Sequence, residues 1–143
     1  MTLNVDRLRT KLNDISRSLT RLRRLQSMGR TEFLADEDAQ DIARSRLLTA
    51  VEAALNICYH LAAKELHTVP DDYAQCFTIL GYGGLIPKDL AQNLALMARF
   101  RNRLVHLYWD VDYGQVHEIL ANRLNDLEAF ASLTSQFITD DRP

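Results

Sequence analysis

Apolar residues fall at Val5, Leu8, Leu12, Ile15, Leu19, Leu22, Leu25 and Met28, in steps of three and four. That spacing is close to a heptad seam, the mark of a helix that packs along another helix in the same chain or in a partner. Arginines occupy the opposite face, and Gly29 reads as the C′ residue that ends the helix. Thr31 is placed to cap a second helix. The acidic residues that follow (Glu32, Asp36, Glu37, Asp38, Asp41) suit the positive end of its dipole. From Ile42 the apolar positions run through Leu47, Leu48, Val51, Ala54, Leu55, Cys58, Leu61 and Ala62, a stripe wide enough for a central, mostly buried helix.

Pro70, Asp71 and Asp72 break that helix and open a short one over about residues 71–80. Gly81-Tyr82-Gly83-Gly84 reads as a connector, because it lacks the preceding strand and the lysine of a phosphate-cradling loop. Pro87, Lys88 and Asp89 begin a helix with Leu90, Leu94, Met97, Leu104 and Val105 facing inward. Asp110-Val111-Asp112 reads as a turn and an N-cap for a last helix from about Gly114, with Val116, Leu120, Leu124, Leu127, Phe130, Leu133 and Phe137 on its apolar side. The tail from Asp140 is expected to fray. The pattern predicts one all-α domain over residues 1–143, an antiparallel bundle of four main helices plus a short one.

Composition narrows this little. A chain of 143 residues with 47% apolar and 25% charged side chains is an ordinary soluble domain. It shows no apolar run of signal-peptide length and nothing near the roughly 20 apolar residues of a membrane span, so a cytoplasmic location is expected. Cys58 and Cys76 sit in apolar helical patterns and read as buried thiols in a reducing compartment. Asn56 and His60, four residues apart near the apolar face, are either ligand contacts or core polar groups with satisfied bonds. His60 and His67 share a face, but no third ligand is in register, so no metal site is expected. The net charge of −2 hides an asymmetry. Residues 1–30 carry eight basic and two acidic side chains, a net +6, and the rest carries −8. A basic first helix can track phosphates or can simply be a solvated face, so charge alone does not point to nucleic acid.

Chemistry concentrates in Arg101-Asn102-Arg103-Leu104-Val105-His106-Leu107-Tyr108-Trp109. Helical steps of about 100° put Asn102 and His106 on one face. Arg101 and Tyr108 come within about 20° of alignment if the helix continues that far. An arginine fork suits a phosphodiester and the charge it gains in the transition state. A histidine titrates near neutrality and moves a proton without a metal. Together they fit RNA cleavage by attack of the ribose 2′-OH on the adjacent phosphate, which needs one group to take a proton and another to give one. One chain supplies one such histidine; a two-fold dimer would supply both roles. Dipole physics also favours an Arg and a His near a helix C-terminus, and Tyr108-Trp109 could be core aromatics.

The string Arg101-Asn102, Val105-His106 and Tyr108 resembles the R-x4-H-x-Y signature of the HepT-like toxins, a branch of the HEPN superfamily. The stretch Ala50-Val51-Glu52-Ala53-Ala54-Leu55-Asn56-Ile57, then Pro70, then Gly84-Leu85-Ile86-Pro87, extends the resemblance over about residues 40–135. The resemblance implies an all-α, HEPN-like homodimer whose active site forms where two copies of the motif meet. It implies metal-independent RNA cleavage by the toxin of a toxin–antitoxin pair, with no cofactor. Arg101 and His106 match the catalytic positions, with Asn102 as a supporting polar residue. The implied partner is an MntA-like nucleotidyltransferase antitoxin that attaches AMP to the motif tyrosine, here Tyr108, using ATP and a divalent metal. AMP at Tyr108 would add bulk and negative charge beside Arg101 and His106. The alternative is a non-catalytic helical companion subunit that presents a nucleotide or substrate to a nucleotidyltransferase; a plain dimeric scaffold is a third reading.

Overall fold

Side-chain caps set where most of the helices begin, and they do so in a computed structural model that describes residues 3–107 and 109–140. The Asn4 side chain accepts from the Arg7 amide (3.2 Å) at the head of α1 (Val5–Leu25). α2 (Arg30–Leu34) is a single short turn of helix after Gly29. Asp36 accepts from the Ala39 amide (3.0 Å) and starts α3 (Glu37–Leu66), the longest element at 30 residues. Asp72 caps α4 (Tyr73–Tyr82) through Gln75 N, and α5 (Lys88–His106) follows Pro87. Asp112 caps α6 (Tyr113–Asn122), as its sequence position suggests, and α7 (Leu124–Asp140) completes the chain. Each such cap is worth about 1 kcal/mol.

The all-α expectation holds, but the helix count does not. Among the described residues there are seven helices, not four and a short one. Gln26 ends α1, so Gly29 is not its C′ residue but the residue before α2. Thr31 lies inside α2, and Asp36 is the cap that starts the long helix. The predicted last helix is two, broken at Arg123 (φ −120°, ψ −3°), whose N–H still reaches Ile119 O at 2.8 Å. Leu120, Leu124 and Leu127 keep their apolar phase across this break, which hides it from any periodicity.

α3 is the axis of the bundle, with α1, α4, α5 and α7 packed around it. Leu47, Ile57 and Leu61 are fully buried there, and Ala43, Ala50, Ala54 and Ala62 let neighbouring helices approach closely. The heptad-like face of α1 lies against α3 and α7 of the same chain. Leu8, Ile15, Leu19 and Leu22 are buried in that contact, and Arg23 clamps it through Glu128 and Asn125 of α7. The seam is therefore consumed inside the chain. Gly81 is not part of a connector, as its neighbours Gly83 and Gly84 are. It lies buried in α4, where a Cβ would stand 2.7 Å from that of Ala91 in α5. Cys58 and Cys76 are buried free thiols, and burial followed by the hydrogen bond to Cys76 pushes the Cys58 thiol far above its ordinary range. No helix among the described residues is long and apolar enough to cross a membrane.

Candidate active site

α3 carries a stripe of three polar side chains at four-residue intervals, Glu52, Asn56 and His60, along one side of the helix. Each is met by a donor from another element. His60 Nε2 accepts the Asn4 backbone N–H at 2.9 Å. Asn56 Oδ1 accepts from Arg7 Nε and Nη2 at 3.1 and 2.6 Å. These two contacts fasten the start of α1 to α3 and occupy the acceptor atoms Asn56 Oδ1 and His60 Nε2. An accepting Nε2 also fixes His60 as neutral. Burial first, then the positive charges of Arg7 and Lys64, hold it below the usual histidine range.

The third contact builds the site. Arg101 lies on the inward stripe of α5 with Leu94, Met97 and Leu104, and only 9% of it is exposed. A guanidinium in that position needs a partner, since an unpaired buried charge costs several kcal/mol. Glu52 Oε1 supplies it, accepting from Nε at 2.9 Å and Nη2 at 2.5 Å. Asn102 Oδ1 accepts from Nη1 at 3.0 Å. The ring of Tyr73 covers the group, with Cζ 4.7 Å from its centroid. These bonds use three of the five N–H groups of the fork, leaving one on each Nη. Two N–H groups side by side are what a phosphate oxygen pair takes from an arginine.

His106 is the last residue of α5 and is exposed. It lies five positions after Arg101, about 140° around the helix. One faces α3 and the other faces solvent. Asn102 and His106 share a face as expected, but the Asn102 oxygen bonds Arg101 and not the imidazole. Leu107 (φ −126°, ψ 45°) ends the helix, so the alignment of Arg101 with a helical Tyr108 does not apply; Tyr108 itself lies outside the described residues. Trp109 is not a core aromatic, being 70% exposed. The pattern of polar and apolar residues missed Glu52 and Tyr73 as parts of the site. Glu52 left a signal, as the sole acidic side chain between Asp41 and Glu65 in a buried helix. Tyr73, at the start of α4, left none.

The fold and this motif can be set beside known proteins. Residues 15–133 match the family model described as Ribonuclease HepT-like, and the chain belongs to that family of HEPN-type ribonucleases. It is 28% identical over 120 residues to the mRNA nuclease HepT of Shewanella oneidensis, covering 84% of this chain and 90% of that protein. It is 26% identical over 129 residues to the tRNA nuclease HepT of Aphanizomenon flos-aquae, covering 90% and 88%. Among solved structures it is similar to the tri-AMPylated HEPN toxin of S. oneidensis in complex with its MNT antitoxin. That match has a TM-score of 0.83 at 27% identity and covers 92% of this chain and 98% of the toxin. The cytosolic protein YutE of Bacillus subtilis shares the fold, with a TM-score of 0.85 at 13% identity over 99% and 95% of the two chains.

Proposed function

We propose that this chain is the toxin of a toxin–antitoxin pair, an endoribonuclease that cuts RNA without a metal at a site completed by a second copy of itself. The observation that carries the reading is the pairing on α5 of a clamped arginine, with two N–H groups in reserve, and an exposed histidine at the helix end. Arg101 binds the phosphodiester and stabilises the charge that develops on its equatorial oxygens. One His106 takes the proton of the 2′-OH as that oxygen bonds to phosphorus. A second gives a proton to the 5′-oxygen as its bond to phosphorus breaks. The products are a 2′,3′-cyclic phosphate and a free 5′-hydroxyl. Both proton roles cannot be filled by one imidazole in one step, which favours a two-fold dimer. Leu107 and Trp109, 41% and 70% exposed beside His106, give such a contact apolar surface. Asn102 supports the site by holding Nη1 of Arg101.

The restraining partner is an MntA-like nucleotidyltransferase. It directs the Tyr108 phenol oxygen to the α-phosphorus of ATP, so that a P–O bond forms there as the bond to the bridging β-oxygen breaks, pyrophosphate leaves with that electron pair and the phenol proton passes to solvent. The S. oneidensis toxin, similar to this chain over nearly its full length, is seen AMPylated and bound to its antitoxin. Purified chain incubated with RNA in EDTA tests the nuclease half. Wild type should cut, and Arg101→Ala and His106→Ala should each lose about 100-fold or more. Equal cleavage by all three, or none by wild type, overturns it. Intact mass after co-expression with the nucleotidyltransferase tests the other half, because AMP units should appear on wild type and vanish in Tyr108→Phe.

A further inference from the structure

Beside the Arg101–Glu52 pair the surface sinks into a hollow of about 330 Å³ lined by Arg7, Glu52, Leu55, Asn56, Tyr59 and Tyr73. Its volume lies at the lower end of small-ligand sites, about 300–1,000 Å³. Two aromatic rings wall it, Tyr59 and Tyr73, set edge to face with centroids 6.0 Å apart. Tyr73 is 39% exposed. Five side-chain polar atoms on the lining residues have no hydrogen-bond partner among the described residues: Glu52 Oε2, Asn56 Nδ2, Arg7 Nη1 and the phenol oxygens of Tyr59 and Tyr73. The hollow is therefore bordered by a carboxylate acceptor, amide and guanidinium donors and two phenol groups, beside two aromatic rings.

We propose that this hollow binds the nucleobase of the RNA residue next to the scissile phosphate, an inference that rests on the ribonuclease reading above. The charges decide between base and phosphate as occupant. Arg7 and Glu52 offset one another, and a phosphate placed here would meet the Glu52 carboxylate. A neutral, planar heterocycle with donors and acceptors on its rim meets the rings, the amide and the carboxylate in turn. The hollow also adjoins the cutting site directly. Glu52 is the residue that holds Arg101, and Tyr73 is the ring that covers it. A base seated here leaves its own phosphodiester at the arginine. Arg7 joins this account through Asn56, which gives the first helix a part at the site beyond its packing.

The test separates binding from cutting. His106→Ala protein, shown by intact mass to carry no AMP (which has the same chemistry as the proposed ligand), is titrated with a fluorescent single-stranded RNA. Adding Tyr73→Leu should weaken binding about tenfold or more, whereas Tyr73→Phe, which keeps the ring, should not. Should the leucine variant fail to fold, the same RNA carrying 4-thiouridine is photo-crosslinked to the His106→Ala chain. Adducts on the peptides that contain Tyr59 or Tyr73 are then expected. Unchanged affinity in a folded leucine variant, or adducts confined to other peptides, overturns the proposal. RNA held in the hollow by a chain whose wild type never cuts would overturn the ribonuclease reading instead and leave the base site standing.

Discussion

Arg101 gives Nε and Nη2 to a single oxygen of Glu52, at 2.9 and 2.5 Å, across 49 residues of sequence. This one contact fixes α5 against α3 and sets the direction of the remaining N–H groups. Without it the buried guanidinium would keep only the Asn102 oxygen and the Tyr73 ring as partners. Glu52→Ala should therefore lose stability and cleavage together. With the Glu52 side chain 47% exposed, screening limits the stability loss to about 1–2 kcal/mol. Glu52→Gln keeps an acceptor and should fall between wild type and alanine. Urea titration and cleavage rates on the same preparations check both.

His60 predicts a pH dependence. Its folded pKa lies below the ordinary 6.5, because burial and the positive charges of Arg7 and Lys64 disfavour the proton and Nε2 must stay unprotonated to accept from Asn4. The unfolded chain binds that proton more readily, so stability falls as pH falls. The contribution is whole above about pH 6.5 and is lost as pH drops through the lower folded value. His60→Gln keeps an acceptor and does not titrate. Wild-type Tm should decline more steeply than that of the variant between pH 7.5 and pH 5. Parallel curves would show that the contact with α1 is not held by a neutral imidazole.

Gly81 predicts a packing effect away from the site. An added methyl group would meet Ala91 Cβ at 2.7 Å, so α4 and α5 would have to separate. Gly81→Ala should cost about 1–3 kcal/mol. Because α4 brings Tyr73 over Arg101, the RNA-cutting rate should drop as well. Thermal denaturation with cleavage measured well below the midpoint separates the two effects.

The bundle is legible in the sequence because its apolar stripes are continuous, and Arg101, Asn102 and His106 stand out as candidates because they are neighbours. It concealed what depends on non-local pairing. Glu52 is an ordinary glutamate until α3 and α5 pack, and nothing around Tyr73 marks the ring that covers Arg101. The break at Arg123 leaves no mark in the apolar pattern, because Leu120, Leu124 and Leu127 stay in phase across it. The helix that would align Arg101 with Tyr108 ends at His106, where Leu107 leaves helical angles, and Tyr108 lies outside the described residues. The spacing of α1 marks a packing face without naming its neighbour, which packing around α3 places in the same chain.

The central claim is that two copies of Arg101 and His106 make one metal-independent cutting site. It is tested most directly by a heterodimer, isolated with two different affinity tags, in which one chain is wild type and the other carries Arg101→Ala and His106→Ala. Its rate on RNA in EDTA is compared with that of the wild-type dimer. With one proton role missing, the heterodimer should be slower by about 100-fold or more. A rate close to half that of wild type would mean that each chain cuts alone, and would contradict the account.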